Sequence, residues 1–319
     1  MSIKPLAMRD VFLERIWKSM AADEKIFFVS ADFGSPVLDK IRADYPKRFV
    51  NVGIAEQNLI NISAGLALED YTVFAYAIAP FITMRCFEQI RVSLALLSEV
   101  RPMNVNLIGV GAGYSYVVSG PTHQCYEDIT LMRALPNFQV LSPADHVTAG
   151  GLFDVCINAI GPKYLRFDAQ VLPVIYEAKT PDLNIGFTEL KQGKKVCLLA
   201  TGYMLHTALK VASELESAGL KVGVVDIFDI ANFDIAKLIE VIKPYQGIVT
   251  LEEGFRGRGG LDAKLFELLS RNHLTQQILN IGVEGGYRFE LGSREELHEQ
   301  VGIGPKVSFM NIKNFIESL

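Results

Sequence analysis

Residues 49–70 read FVNVGIAEQNLINISAGLALED, a short apolar run that turns directly into a segment with helical spacing. The first five residues favour a buried strand, and the apolar side chains from Leu59 to Leu68 suit a helix that faces a core. One carboxylate, Glu56, stands at the junction. The helix dipole favours an acidic side chain in a first helical turn by a fraction of a kcal/mol. A carboxylate aimed at such apolar surroundings is also a candidate functional group.

The alternation of strand-like and helix-like segments continues on both sides of this stretch. Strand-like runs lie at 26–32, 49–53, 71–79, 103–111 and 138–145, and a second series lies at 195–201, 221–227, 247–253 and 279–285. Continuous apolar strands that alternate with helices are typical of a parallel sheet covered on both faces. The sequence therefore predicts an α/β protein with two doubly wound domains and mostly parallel strands.

The predicted domain boundary lies where periodicity is lost. Pro173, Pro181 and polar residues accumulate between about 171 and 192. We therefore predict a first domain at 1–178, a linker at 179–192 and a second domain at 193–319.

Composition excludes several classes of function. The chain has 319 residues with a net charge of −5 and no basic block, which argues against a nucleic-acid surface and a polybasic membrane anchor. Its first residues lack the apolar stretch of a signal peptide, and no window has the length of a membrane helix. The four cysteines show no CxxC spacing, so neither a disulfide framework nor a zinc site is expected. These features predict a cytoplasmic protein without nucleic-acid or membrane partners.

Several motifs in a fixed order carry a family resemblance. NVGIAEQN (51–58), APFITMRCFEQIR (79–91) and SGPTHQCYEDITLMRALPNFQVLSPAD (119–145) resemble the second half of a transketolase. LLATGYMLHTALKVASELESAGLKVGVVDI (198–227) and VTLEEGFRGRGGLDAKLFELL (249–269) resemble the C-terminal domain of that family. The resemblance extends, more weakly, to 1-deoxyxylulose-5-phosphate synthases and to the beta subunits of 2-oxo acid dehydrogenases. It implies a pyrimidine-binding domain followed by a transketolase C-terminal domain.

The resemblance also implies thiamine diphosphate as the cofactor. In this family a glutamate shares a proton with the pyrimidine ring of the cofactor, and Glu56 matches that glutamate. Apolar surroundings favour the protonated form of a carboxyl group, so the apolar helix after Glu56 suits this task. Phe81 and Phe87 match positions of the aromatic pocket around the pyrimidine. Met84 stands where an aromatic is usual, and an ordinary core position explains it equally well.

The segment that faces the substrate departs from its relatives. His123, within Gly-Pro-Thr-His-Gln, matches a histidine at the reacting centre, and the resemblance implies a catalytic and substrate-contacting role. Gly111 replaces an upstream histidine that helps to bind sugar phosphate. Ser119 replaces an aspartate that recognises a substrate hydroxyl. These changes predict a substrate other than the ordinary pentose phosphates.

Four further residues match substrate-proximal positions of the family. Arg9 and Arg166 match arginines that contact phosphate, and the planar guanidinium suits an acidic group. Asp32 and Ser35, in SADFGSP, match a turn near the substrate. An ordinary turn would explain that motif nearly as well.

The sequence contains no Gly-Asp-Gly, the turn with which this family binds its metal and diphosphate. The resemblance therefore implies a separate pyrophosphate-binding subunit that holds the diphosphate and Mg²⁺ or Ca²⁺, with no metal ligand in this chain. It also implies homodimerisation, through a C-terminal domain that mostly builds the interface, within a two-plus-two heterotetramer.

The predicted function is that of the beta subunit of a split transketolase-like transferase, active only with its partner. It would move a two-carbon ketol unit from a ketose to an aldehyde, so that the partner molecule is a small sugar. One alternative is a thiamine enzyme that decarboxylates a 2-oxo acid. Another is a non-catalytic regulatory subunit that kept the fold.

Overall fold

The computed structural model describes residues 3–177 and 180–319. These residues form two α/β domains, one after the other along the chain. The boundary predicted at residues 178 and 179 lies outside the described residues. Six strands of the described chain form the first sheet: β1 Ile26–Ser30, β2 Phe49–Asn51, β3 Thr72–Ile78, β4 Asn104–Val110, β5 Gln139–Leu141 and β6 Lys163–Phe167. Their order is β2-β1-β3-β4-β6-β5, and every pair is parallel.

Helices cover both faces of this sheet, which explains why its strands are almost continuously apolar. The α-helices of the first domain are α1 Met8–Ser19, α2 Pro36–Asp44, α3 Glu56–Leu68, α4 Phe87–Gln89, α5 Asp128–Arg133 and α6 His146–Asn158. Apolar side chains of α1 and α6 pack on one face, and those of α3 and the segment 81–97 pack on the other. The predicted fold class is confirmed for this domain.

The segment at 79–99, predicted as one helix, is irregular. It contains two π-helical stretches, Phe81–Arg85 and Ile90–Leu96, on either side of the short helix α4. A π-helical turn widens the spacing between successive side chains and is frequent at functional sites. Phe81, Met84 and Phe87 are therefore not presented by one regular α-helical face.

The second sheet is mixed. Its strands are β7 Phe187–Lys191, β8 Val196–Ala200, β9 Gly223–Ile227, β10 Gly247–Phe255 and β11 Gln277–Val283, in the order β11-β10-β8-β9-β7. Only β7 is antiparallel among these described strands. The helices are α7 Met204–Ser217, α8 Ile235–Ile242, α9 Leu261–Arg271, α10 Arg294–Gln300 and α11 Pro305–Ser318.

The strand β7 falls inside the segment 179–192 that the sequence predicts to be a linker. Phe187 pairs with Ile227 and Glu189 with Val225, so the second sheet begins within this segment. The alternation of apolar and polar residues along β7 is weak, because Phe187 is the one residue of this edge strand that is buried.

A buried ion network joins the two domains. Arg294 donates to both carboxylate oxygens of Glu253, at 3.0 and 2.7 Å, and to Asp168 of the first domain at 2.6 Å. His298 lies 2.7 Å from Glu253, and all four side chains are almost fully buried. Such a network is strongly directional, so it holds the domains in one relative position.

The described helices include none that is both long enough and apolar enough to cross a membrane.

Candidate active site

Several polar and aromatic side chains gather at the carboxyl ends of the strands of the first sheet. β2 and β3 lie on opposite sides of β1, so the strand order reverses at β1. Parallel sheets bind ligands outside the carboxyl ends of strands near such a reversal. The ends of β1, β2, β3 and β4 are followed respectively by Asp32, Glu56, Phe81 and the loop 111–124.

Glu56 begins helix α3 and is only 5% exposed. Its Oε1 accepts a hydrogen bond from Arg85 Nη1 at 3.0 Å, and Arg85 is half exposed. Burial, reinforced by the nearby carboxylate of Glu56, raises the pKa of the Cys86 thiol to about 12. The carboxylate therefore lies in a largely apolar pocket with one basic partner, which reaches it from the segment after β3.

Arg85 connects Glu56 to an aromatic row. The guanidinium carbon of Arg85 lies 3.7 Å from the centroid of the Phe81 ring. The ring of Phe81 meets the imidazole of His123 edge to face, with centroids 5.3 Å apart. The structure thus brings together Glu56, Phe81 and His123, which are far apart in sequence.

The other two predicted pocket residues differ from Phe81. Phe87 is partly buried and packs against the large core cluster. Met84 is 38% exposed and does not belong to that core. Met84 lies in a π-helical stretch and Phe87 in the short helix α4, so the two side chains do not share one regular helical face. A cofactor contact by either residue stays a prediction.

The loop that carries His123 is held firmly at its base. Gly113 and Cys125 exchange two backbone hydrogen bonds, of 3.0 and 2.9 Å. The backbone N–H of Tyr114 donates to Glu253 Oε1 at 3.2 Å, so the interdomain network fixes this loop as well. His123 Nδ1 lies 2.9 Å from Thr122 Oγ1, which leaves Nε2 available to a ligand.

The structure accounts for the glycine at position 111, one of the two replacements in the substrate loop. Gly111 has φ of +106°, and a Cβ atom there would lie 2.1 Å from Cε2 of Tyr116. The ring of Tyr116 therefore occupies the space that a side chain at position 111 would need. Ser119 is exposed, and its carbonyl oxygen accepts from Thr122 Oγ1 at 3.4 Å. A substrate contact by Ser119 stays a prediction.

Arg9 is half-buried beside this loop. Its Nε donates to Asp10 Oδ1 at 2.8 Å. Burial acts to lower the pKa of Arg9, but Asp10 and the nearby Tyr76 outweigh it and the pKa is raised. Arg9 is thus a permanent cation at the edge of the site, as a residue that binds an acidic substrate group needs to be.

The turn after β1 has local partners. Ser35 caps α2 by accepting from Val37 N–H at 3.2 Å, and its hydroxyl donates to Asp10 at 3.3 Å. Asp32 is exposed with φ of +53°, and it exchanges two hydrogen bonds with the side chain of Asn51, of 3.1 and 3.0 Å. These contacts fit an ordinary turn and cap, so substrate roles for Asp32 and Ser35 stay predictions.

Arg166 requires a correction. It is 2% exposed, its Nε donates to Asp128 at 2.8 Å, and its Nη2 donates to the carbonyl oxygens of Cys125 and Glu253 at 3.3 Å. Burial acts to lower the pKa of Arg166, but the charges of Asp128 and Glu253 outweigh it and raise the pKa. This geometry does not match the predicted phosphate contact, because the guanidinium is enclosed between the domains and connects them.

Comparison with known families agrees with this arrangement. The family model for the transketolase pyrimidine-binding domain matches residues 4–174, and the model for the transketolase C-terminal domain matches residues 187–307. The chain belongs to the transketolase family. It contains the second half of that architecture, as the motifs predict.

Two relatives and one solved structure match this chain over most of both lengths. The B subunit of apulose-4-phosphate transketolase from Actinobacillus succinogenes is 31% identical over 82% of this chain and 82% of its own. The SqwH subunit of a 6-deoxy-6-sulfo-D-fructose transketolase from a Clostridium species is 27% identical over 94% of this chain and 91% of its own. A solved structure described as a split gene transketolase, inactive beta4 tetramer, superposes with a TM-score of 0.84 at 30% identity, covering 98% of this transketolase chain and 99% of that one.

The site fits the pyrimidine half of the family's thiamine diphosphate. The nearly buried carboxylate of Glu56 and the aromatic face of Phe81 both contact Arg85, and together they suit a flat ring with a basic nitrogen. Across residues 3–177 and 180–319 there is no group of three or more His, Cys, Asp or Glu side chains that could hold a metal ion.

Two residues of the site carry no strong signal in the sequence. As charged residues of a predicted helix, Arg85 and Arg91 are both expected to make helix or interface contacts. Arg91 contacts Glu88 at 3.5 Å within its own segment, whereas Arg85 binds Glu56 of helix α3. Tyr116 is one aromatic residue within a loop and matches no motif. Arg85 and Tyr116 each follow the end of a parallel strand, but a single cation or aromatic residue there is a weak signal of function. Sequence spacing does not show which residue either of them contacts.

Proposed function

We propose that this chain is the beta subunit of a two-component, thiamine diphosphate-dependent transketolase. The observation that carries the proposal is the continuous row from Glu56 through Arg85 and Phe81 to His123, at the ligand-binding edge of a transketolase pyrimidine-binding domain. A carboxylate to activate a cofactor and an imidazole to handle substrate oxygens are thus connected through Arg85 and Phe81.

When bound, thiamine diphosphate supplies a carbon nucleophile that can hold the two-carbon unit. Glu56 holds a proton at the pyrimidine nitrogen, and its apolar pocket excludes water from that contact. Arg85 would have to leave the carboxylate of Glu56 for a pyrimidine ring to bind there. Phe81, with Phe87 and Met84 as further candidates, orients the ring.

The reaction transfers a hydroxyacetyl unit. The bond between C2 and C3 of a ketose breaks, and its electron pair ends in a new bond to the carbonyl carbon of an aldehyde. The C3 hydroxyl of the donor loses its proton as C3 becomes an aldehyde, and the acceptor oxygen gains one, so atoms and electrons balance. His123 is placed to carry that proton as a general acid and base.

The substrate is a sugar other than the ordinary pentose phosphates. Gly111 and Ser119 replace two polar contacts of the family, and the two relatives described above act, by name, on apulose 4-phosphate and on 6-deoxy-6-sulfo-D-fructose. Arg9 binds an acidic group of the substrate, and Asp32 and Ser119 contact its hydroxyls. A buried aspartate that accepts a hydrogen bond from a substrate hydroxyl contributes about 1.5–3 kcal/mol to the binding free energy, and a serine supplies only part of this.

The proposal includes a partner. A separate polypeptide holds the diphosphate together with Mg²⁺ or Ca²⁺, and two copies of each chain form a heterotetramer in the cytoplasm. The second domain of this chain, whose sheet includes β7, contributes most of the contact between its two copies.

A reconstitution experiment tests the proposal. The purified chain is mixed with the product of a neighbouring gene that encodes Gly-Asp-Gly, then supplied with thiamine diphosphate, Mg²⁺ and a panel of ketose donors and aldehyde acceptors. We expect ketol transfer, at least about tenfold less efficient in kcat/KM with xylulose 5-phosphate and ribose 5-phosphate than with the best pair. Release of carbon dioxide from pyruvate would identify a decarboxylating enzyme instead. Full activity of a Glu56→Ala complex would indicate a non-catalytic role.

A further inference from the structure

Tyr116 occupies a distinctive place in the substrate loop. The Gly113–Cys125 bridge closes the loop, and the carbonyl oxygen of Ser115 accepts from Gln170 Nε2 at 3.1 Å. The backbone is thus fixed on the N-terminal side of Tyr116, and the carbonyl oxygen of Tyr116 itself accepts from Ser119 N–H at 3.3 Å. Its ring lies over Gly111, where even a methyl group would overlap it.

The surroundings of Tyr116 connect the two ends of the site. Its ring meets the imidazole of His123 at 82°, with centroids 6.2 Å apart. Burial raises the pKa of the Tyr116 phenol, the charge of Arg9 lowers it, and Asp168 adds to the rise. Tyr116 therefore lies within electrostatic reach of Arg9 and keeps its proton near neutral pH. Its partly buried hydroxyl is able to donate a hydrogen bond.

We propose that Tyr116 determines substrate specificity, with its ring forming the wall between His123 and Arg9 and its hydroxyl binding a hydroxyl group in the middle of the sugar. The inference rests on the proposed function. A substrate with its reacting carbon at His123 and its acidic end at Arg9 must pass the ring of Tyr116. The length of that ring sets how many carbons fit between the two ends, and Gly111 is required because the ring takes its space.

The test uses the reconstituted two-component enzyme and a graded series of aldehyde acceptors: glycolaldehyde, D-glyceraldehyde, D-erythrose and D-ribose, each also as its phosphate where one exists. Tyr116→Phe keeps the wall and removes the hydroxyl, so kcat/KM for the best acceptor should fall about tenfold. Tyr116→Ala opens the wall, so the ratio of kcat/KM for the next longer acceptor to that for the best one should rise at least about tenfold. Val118→Ala, an exposed position in the same loop, is the matched control and should change neither quantity.

The outcomes separate the two levels of the proposal. A wild-type complex without ketol transfer on any acceptor would overturn both the proposed function and the role of Tyr116. An active wild-type complex whose Tyr116→Phe and Tyr116→Ala variants keep kcat/KM and the length preference within about twofold would overturn the role of Tyr116 alone. Tyr116→Phe is nearly isosteric, so it keeps the test decisive if the alanine variant does not fold.

Discussion

The carboxylate of Glu56 and the guanidinium of Arg85 form an ion pair of 3.0 Å across the mouth of the site. The same guanidinium covers the ring of Phe81. A ligand that used both the carboxylate and the aromatic face would therefore have to move Arg85. The pair keeps Glu56 from being a buried charge without a partner in the chain alone.

Replacing Glu56 by glutamine should nearly abolish turnover of the assembled enzyme while leaving folding and subunit association intact. The amide occupies the same volume but cannot share a proton with the pyrimidine nitrogen. Hydrogen–deuterium exchange at the thiazolium carbon of bound cofactor, followed by NMR, measures this directly. An exchange rate equal to that of the wild type would remove Glu56 from the mechanism.

A double-mutant cycle with Arg85→Ala and Glu56→Gln should give a coupling of about 1 kcal/mol in the purified chain, because half of Arg85 is exposed and water screens the pair. Urea unfolding measures the four free energies. The matched control is the exposed pair Arg91 and Glu88, whose coupling should be smaller, about 0.3–0.5 kcal/mol. Equal couplings in the two pairs would mean that Arg85 has no special relation to Glu56.

Arg294→Met should destabilise the chain by about 3–5 kcal/mol, because it leaves Asp168 buried without its cation and leaves Glu253 with only His298 and the Tyr114 N–H as partners. Burial acts to raise the pKa of Glu253, but Arg294 and His298 outweigh it and lower the pKa below the ordinary value of 4.5. The stability that this depressed pKa contributes is present above pH 4.5 and is lost as the pH falls through the folded value. Arg258→Met, at an exposed position, should change stability by less than about 0.5 kcal/mol, and a similar loss in both variants would contradict the prediction.

Glu252→Gln should remove part of the pH dependence of stability. Burial, with the charge of Asp262, raises the pKa of Glu252 from 4.5 to about 7. The folded chain therefore binds more protons than the unfolded chain between these values, and the free energy of unfolding falls as pH rises through that window, by about 3 kcal/mol from this group. The glutamine can still accept from the backbone N–H of Asp262, which lies 3.0 Å from Glu252.

Urea unfolding at about pH 5 and about pH 8, on either side of the window, measures the effect of Glu252→Gln. The stability difference between the two pH values should shrink by about 3 kcal/mol, while Asp226, whose pKa burial raises to about 7, keeps its own share. Glu240→Gln, at an exposed position, is the control and should leave the difference unchanged. An unchanged difference in the Glu252→Gln chain would show that this carboxyl group is not protonated near neutral pH.

The sequence by itself determined the two α/β domains, nine of the eleven strands among the described residues (all but β6 and β7), and the places of Glu56 and His123 after the ends of strands. These features follow from local rules, since apolar periodicity encodes burial and a motif encodes the group that stands at the end of a strand. Only the tertiary structure decided that Arg85 pairs with Glu56, that Tyr116 fills the space above Gly111, that Arg166 belongs to the junction between the domains, and that β7 joins the second sheet as an edge strand. Each of these depends on a contact between segments that are not regular neighbours in the sequence, or on an irregular turn that changes where a side chain points. Spacing cannot encode such contacts, because they are selected by packing and charge compensation after the layers have come together.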